Sequence, residues 1–446
     1  MDNPSVESLL QNAREAHQSG DVGKAIAIYQ ALLSAAPGHL QARFDLALAL
    51  FQSRRIEECE SHLEALTRMA PDEKAFRVRR AQVLNALGRM TQAAGQLDEA
   101  IRIDPADIVL HLNHGALCYQ HVNRETALRS FQRALILAPQ LSDYAADPRV
   151  PPPLRDAMKL AVQSVAQLNQ QFVEETLSQT RAEFPDSDLS RLTPGIRNCG
   201  TSRNRYARKD QRPVMLYLPE VPERPWFDAD RLPWLEAVQD CYEAIDSELE
   251  SLLGDATPFA PYLPAQSSDT GTASDLGTLR GSMDWNAYHL YRDGQRFDEA
   301  CTRCPTTASL IDQVPFPWIR HNSPEMFFSR LRPGAHITPH FGLMNVRLTV
   351  HMGLRIPEQS GIRVGTQTRR WQPGKVIAFD DSFDHEAWNR SDQERIVLIF
   401  EAWNPELNDA ERVGVERFFA LRRDWLDQFD DDPLLPPPGT QPRLQW

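Results

Sequence analysis

What the 446 residues lack narrows the reading first. No apolar run approaches the ~20 residues that a bilayer-spanning helix needs, so no membrane anchor is expected. The start, MDNPSVESLL, has neither a basic segment nor an apolar core, and does not read as a signal peptide. There is no excess of basic charge: the formal net charge is −13, which argues against general nucleic-acid binding. The six cysteines, Cys59, Cys118, Cys199, Cys241, Cys301 and Cys304, are scattered, unlike a disulfide scaffold. A cytoplasmic setting is the expectation. Cys301 and Cys304 form a CxxC, but no second CxxC completes a zinc ribbon and no thioredoxin-like context surrounds it. A redox role is one reading; two reduced loop thiols is the expected one. His336 and His340 are four apart, yet Pro333, Gly334 and Pro339 oppose a helix. No Glu follows His336, so the zincin motif is absent.

What is present begins with a period. Pro37, Pro71, Pro105 and Pro139 recur every 34 residues. Twelve before each lie Ala25, Cys59, Ala93 and Ala127; eight before lie Tyr29, Leu63, Leu97 and Phe131; twenty-four before lie Ala13, Ala47, Ala81 and Gly115. Small residues let two antiparallel helices approach, large ones fill the space between them, and proline ends the second helix. Each unit needs neighbours to bury its face. Four such units over 1–140 resemble the tetratricopeptide repeat family. The resemblance implies a helical solenoid with a concave, peptide-holding surface. A purely structural or dimerising module is the alternative.

A proline-rich break, DPRVPPP, precedes a helical pattern at Leu154, Met158, Ala161, Val165, Leu168, Phe172 and Leu177, expected to cap the array as a helix within 141–183. Residues 184–212 are polar and carry Arg197, Arg203, Arg205, Arg208 and Lys209. They are expected to be a solvated linker, with an acidic partner as the alternative. Trp234, Leu235, Val238, Tyr242, Ile245, Leu249 and Leu252 make one helical face. Residues 255–283 read as a loop near a site mouth. A last helix follows Trp403, and a proline-rich acidic tail, expected to be mobile, closes a segment spanning 409–446.

Between 326 and 403 lie short runs rich in Val, Ile, Phe and Thr, split by Gly/Pro turns. In RLTVHM, alternation puts Arg347, Thr349 and His351 on one strand face and Leu348, Val350 and Met352 on the other. A barrel with a polar pocket fits this; so does a sandwich strand with a solvated face. Taken singly, each histidine here reads as a hydrogen-bonded structural residue.

From Trp285 to Leu407, through PGAHITPH, NVRLTVHMGL, WQPGKVIAFDDSFDHEAWN and FEAWNPEL, the sequence resembles the aspartyl/asparaginyl β-hydroxylase family. That resemblance implies a double-stranded β-helix (jelly-roll, cupin-like) with flanking helices over 213–408, and chemistry dependent on Fe(II) and 2-oxoglutarate. The chain as a whole is then multidomain, an α-solenoid followed by a β domain. The family's iron-binding histidines fall on His340 and His385. Its 2-oxoglutarate contacts fall on Trp285, Ser329, the segment Thr349 to His351, and Arg395. Many iron oxygenases add a carboxylate ligand two residues after the first histidine; here that residue is Gly342, and the resembling family also lacks the carboxylate. The family's basic residue two before His351 is Thr349 here, which leaves Arg347, as a substrate-binding residue, and His351 to hold the remaining carboxylate. Asp380, Asp381, Asp384 and Glu386 are expected as turn residues, with partners of the imidazoles as the sharper reading.

The resemblance implies a dioxygenase that hydroxylates a protein or peptide, plausibly at the β-carbon of Asp or Asn, with the repeats helping to present it. Two alternatives stand beside it: an acyl-chain hydroxylase of lipid A, which some members of that family are, and a non-catalytic tetratricopeptide scaffold.

Overall fold

The computed structural model of the chain describes residues 5–200, 204–254, 259–263 and 279–428. Two units separate within it, one up to residue 168 and one from residue 169 on, and the division falls inside the long helix Pro152–Glu183.

The first unit opens with eight helices: Val6–Gln18, Val22–Ala35, Leu40–Gln52, Ile56–Met69, Lys74–Ala86, Met90–Ile103, Ile108–His121 and Arg124–Leu137. Each phasing proline lies just past the second helix of its pair. The side chain six residues after Pro37, Pro71 and Pro105 reaches back to that proline's carbonyl. Arg43 Nη2 does so at 2.6 Å, Arg77 Nε at 2.9 Å and His111 Nε2 at 2.9 Å. The 34-residue period thus carries a carbonyl cap as well as a packing pattern. Ala13, Ala47, Ala81 and Gly115 are buried opposite Tyr29, Leu63, Leu97 and Phe131. At Gly115 even a methyl group would overlap the Phe131 ring, so the fourth repeat has a glycine where the other three have alanine. Leu154, Met158, Ala161 and Val165 cover the last repeat.

Among its described residues the second unit holds twelve strands. We label them β1 (Trp226–Phe227), β2 (Ala260–Pro261), β3 (Trp285–Arg292), β4 (Gln295–Arg296), β5 (Met326–Leu331), β6 (His336–His340), β7 (Arg347–Arg355), β8 (Ser360–Val364), β9 (Gln367–Arg369), β10 (Val376–Phe379), β11 (His385–Asn389) and β12 (Arg395–Trp403). They form an eight-stranded sheet, β1-β10-β7-β12-β5-β3-β2 with β4 beside β3, and a four-stranded sheet, β6-β11-β8-β9. All the ladder pairings are antiparallel.

Alternation along β7 and β12 divides the large sheet into two faces. Leu348, Val350, Met352, Ile396, Leu398 and Phe400 join one core with Leu235, Val238, Ile245, Leu249 and Leu252 of the helices Leu235–Asp240 and Tyr242–Gly254. The opposite face packs with the small sheet: Trp285, Phe327, Phe379, Val397 and Ile399 meet Ile337, Ile362, Val364 and Ala387. A fully buried side chain of this size contributes roughly 1.5–3 kcal/mol, and both faces of the sheet draw on it.

Three expectations are corrected here. The second half of Pro152–Glu183 does not cap the repeats: Val173 and Leu177 join Leu192, Ile196 and Phe418 in a core of the second unit. The segment 184–212 is not a solvated linker. Leu189, Leu192 and Ile196 are buried, Arg191 pairs with buried Glu411, and Gln211 Nε2 donates to Asp380 at 3.0 Å; of its basic cluster, Arg203 lies outside the described residues. Its apolar positions are too few and too widely spaced among polar ones to show a period. Cys301 and Cys304 are not loop thiols: both are free and buried, at and just after the helix Asp298–Arg303, and packed in the core. The last helix runs Asp409–Asp427 behind an Asn408/Glu411 capping box; the tail after it lies outside the described residues, as do 255–258 and 264–278 of the expected loop. Among the described residues, no helix is long and apolar enough to cross a membrane.

Candidate active site

Between the two sheets lies a cavity of about 230 Å³. Its lining includes all eight residues singled out from the sequence: Trp285, Ser329, His340, Arg347, Thr349, His351, His385 and Arg395. They come from six strands, and strand pairing brings them together. His340 and His385 are direct partners across β6 and β11, which sets their ring centroids 4.1 Å apart. His351 lies opposite Ile399 on β12, and Ser329 opposite Val397.

Hydrogen bonds fix which nitrogen of each histidine carries the proton. His340 Nδ1 is 2.8 Å from the Thr338 carbonyl and His385 Nδ1 is 2.9 Å from the Phe383 carbonyl. A carbonyl only accepts, so each Nδ1 is the donor and each Nε2 keeps its lone pair. His351 is the reverse. The Trp371 indole N–H donates to its Nδ1 at 3.1 Å, and an indole only donates, so His351 holds its proton on Nε2. Burial keeps all three neutral: it lowers the His340 pKa to about 3 and that of His385 to about 4, and holds that of His351 well below the ordinary value. Two neutral imidazoles with free Nε2 atoms suit a divalent transition metal. His351 offers an N–H, which suits an anion.

Arg395 is fully buried and has no carboxylate partner among the described residues. Burial lowers its pKa to about 9, so it stays charged at neutral pH. Its guanidinium lies over the Trp371 ring, 4.8 Å from the centroid, and Nη1 approaches Ser329 Oγ at 3.3 Å. Trp285 Nε1 donates to the same oxygen at 3.1 Å. Both neighbours are obligate donors, so the Ser329 hydroxyl proton is left for a ligand. An isolated buried cation is costly unless something pairs with it. A buried guanidinium beside a spare hydroxyl is a carboxylate receptor.

Arg347 differs from its expected role. It is buried and ion-paired with Glu401, and Nη1 also donates to the Asn322 carbonyl at 3.0 Å. Its charge is already met. Asp381 lies in the turn before β11, as expected of the acids near His385, and it does more than turn the chain. Its carboxylate lines the cavity and occupies the space that any side chain at Gly342 would fill. Gly342 N–H donates to the Asp381 carbonyl at 2.7 Å, and Thr349 Oγ1 donates to Asp381 Oδ2 at 3.1 Å. Thr349 therefore serves this acid. Asp384 and Glu386 pair with Arg363 instead, and His336 pairs with Glu386 away from the cavity lining. No group of three His, Cys, Asp or Glu side chains is placed to hold a metal among the described residues, so His340 and His385 stand as a pair. Sequence reasoning missed Trp371, Glu325 and Glu401, whose roles come from contacts between distant segments and leave no local signal.

Residues 239–405 match the family model described as aspartyl/asparaginyl beta-hydroxylase, and residues 16–83 match a tetratricopeptide repeat. Human aspartyl/asparaginyl beta-hydroxylase is 37% identical over 135 residues, 30% of this chain and 18% of that protein. The ornithine lipid ester-linked acyl 2-hydroxylase of Rhizobium tropici is 31% identical over 193 residues, 43% of this chain and 64% of that protein. Aspartate beta-hydroxylase domain-containing protein 2 of Xenopus tropicalis is 29% identical over 261 residues, 57% of this chain and 67% of that protein. The match thus spans less than a fifth of the human relative and about two thirds of the other two. Among solved structures, MamA from Desulfovibrio magneticus RS-1 is 19% identical, covering 29% of this chain and 74% of its own, with a TM-score of 0.28, a likeness too low to bear on the fold.

Proposed function

We propose that this chain, whose residues 239–405 form a domain of the aspartyl/asparaginyl beta-hydroxylase family behind tetratricopeptide repeats, is an Fe(II)- and 2-oxoglutarate-dependent dioxygenase that hydroxylates a protein or peptide side chain. The β-carbon of Asp or Asn is the plausible acceptor. On this reading the two antiparallel sheets are the halves of a double-stranded β-helix, and the repeats bind the protein that carries the acceptor. The observation that carries the proposal is one cavity holding two histidines with free Nε2 atoms and one buried guanidinium without a counter-charge.

His340 and His385 would hold the iron through Nε2, with Asp381 as the nearby acid that position 342 does not supply. Arg395 and Ser329 would hold the far carboxylate of 2-oxoglutarate, and His351 Nε2–H would donate to the same co-substrate. Trp285 orients the Ser329 hydroxyl, and Trp371 orients His351. Iron with 2-oxoglutarate supplies the activation of dioxygen and the transfer of one oxygen atom to a C–H bond. The protein's part is position and exclusion of water.

Succinate formation from 2-oxoglutarate by the iron-loaded chain, coupled to a one-oxygen mass gain on a peptide, tests this. Absence of succinate with iron present, whatever peptide is offered, contradicts it. A second reading, hydroxylation of a lipid acyl chain, is favoured by the Rhizobium relative. The two part on whether the oxygen appears on peptide or on lipid extract.

A further inference from the structure

Positive charge collects on one short stretch beside the cavity. Arg205, Lys209 and Arg212 are all exposed. Among the described residues, none of the three side chains has an ion pair or a hydrogen bond. Other arginines of the second unit face acids: Arg191 pairs with Glu411 and Arg369 with Asp228. Within the stretch, Arg208 is matched by Asp210 at 2.8 Å and Glu223 at 3.9 Å. The other three cations stay unmatched, in a chain whose formal net charge is −13. That net charge does not govern what approaches here, because charges more than about 8 Å away are largely screened in physiological salt.

Backbone hydrogen bonds stitch the stretch to the cavity wall. Gln211 bridges to Phe383, the Arg212 N–H donates to the Ser382 carbonyl at 2.9 Å, and the Asp384 N–H donates to the Asp210 carbonyl at 2.8 Å. Just beyond, the Val214 N–H donates to the Gly342 carbonyl at 3.0 Å and the Met215 N–H to that of Leu343 at 2.9 Å. Gly342, Leu343, Asp381 and His385 line the cavity, and the three cations do not. Glu325, Asp381 and Glu401 put carboxyl groups in the wall itself. The unmatched cations therefore lie outside the cavity, where the chain on either side of an acceptor would pass. Val214 is 38% exposed, so a partner laid here meets apolar surface as well as charge.

Resting on the hydroxylase reading, we propose that Arg205, Lys209 and Arg212 form a docking surface for an acidic stretch of the substrate polypeptide, flanking the acceptor residue. An extended chain covers at most about 3.6 Å per residue, so acids within roughly five residues of the acceptor come within reach of this segment. Each contact is an exposed ion pair, weak alone and sensitive to salt. Three together set a preference among substrates and speed encounter. Anionic lipid headgroups share the charge but suit the surface less. A bilayer surface is held by apolar and aromatic side chains alongside cations, and the exposed aromatics of this unit, Phe297 and Trp318, lie on other segments.

The test uses the full chain. Metal-free protein is titrated with peptides that share a central aspartate or asparagine and differ in one flank, a run of glutamates or an equal run of glutamines, placed before or after the acceptor. In at least one placement the glutamate peptide is expected to bind about fivefold more tightly at low salt, with most of the advantage gone at high salt. With Arg205→Gln, Lys209→Gln and Arg212→Gln combined, the two peptides are expected to bind within about twofold of each other, at an unchanged Tm. Equal binding of both peptides to the unaltered protein in both placements overturns the proposal, and so does a glutamate preference that survives the triple substitution. Vesicles with and without phosphatidylglycerol form a further arm: binding to the anionic vesicles without any glutamate preference overturns the proposal in favour of a lipid surface. The iron-loaded chain is then given the same peptides, and oxygen gain is read by mass spectrometry. If the glutamate preference appears and no peptide gains oxygen, the hydroxylase reading fails and the docking surface stands. Oxygen gain with equal binding of both flanks leaves that reading intact and removes the docking surface.

Discussion

Three histidines share one cavity and carry their protons on different nitrogens, and that division of labour rests on single hydrogen-bond partners. In metal-free protein at neutral pH, nitrogen-resolved NMR should find His340 and His385 as Nδ1–H tautomers and His351 as Nε2–H. Replacing Trp371 with Phe removes the indole N–H that donates to His351 Nδ1. His351 should then populate both tautomers and the KM for 2-oxoglutarate should rise, with iron content unchanged. An Nδ1–H signal from His351 in the unaltered protein would refute the assignment. Arg395→Ala removes the partner of a desolvated carboxylate, a loss worth roughly 2–5 kcal/mol. Co-substrate affinity should fall at least about tenfold, and unchanged affinity would place the co-substrate elsewhere. Gly342 shows the limit of single residues read from sequence. It was legible as the place of a missing carboxylate, but not as the space that admits Asp381, because Asp381 arrives from the loop before β11, some 40 residues on.

At the scale of elements, the repeats offer a test of packing. Gly115→Ala gains about 1 kcal/mol of helix propensity but drives a methyl group into the buried Phe131 ring, and overpacking of this kind costs typically 1–3 kcal/mol. Net destabilisation is expected, seen as a lower Tm; a raised Tm would mean that Phe131 moves aside freely. The repeat helices were legible because small, large and proline positions all keep one period, and each signal is local. The alternation in β7 was legible for the same reason, and its greasy and armed faces are those the structure displays. The pairing of β6 with β11 was not. It depends on a register with a shift between His385 and Ala387, set by turns and by the small sheet as a whole. The segment 184–212 was hidden for a related reason: its few apolar residues are held by Phe418 and its neighbours far along the chain.

At the scale of the molecule, residues 1–168 own their cores and should fold alone, with a strongly helical circular dichroism spectrum and a cooperative melt; a coil spectrum would contradict this. The fragment should also lose stability in mild acid. Burial lowers the His111 pKa to about 4, while the unfolded chain titrates near 6.5. Stability is therefore complete above about pH 6.5 and declines as pH falls towards 4, by up to about 1.4 kcal/mol per pH unit for this group. His111→Gln should flatten that dependence, and an unchanged slope would assign it to other groups. The central claim, that His340 and His385 hold iron beside a 2-oxoglutarate held by Arg395, meets its most direct test in one titration. The iron(II)-loaded chain is titrated with 2-oxoglutarate without oxygen, and the visible charge-transfer absorption of an iron-bound 2-oxo acid is followed. We predict that the band appears in the unaltered protein, persists in His351→Ala, needs more 2-oxoglutarate in Arg395→Ala, and is lost in both His340→Ala and His385→Ala. A band that survives in His340→Ala, or never forms in the unaltered protein, would contradict the account.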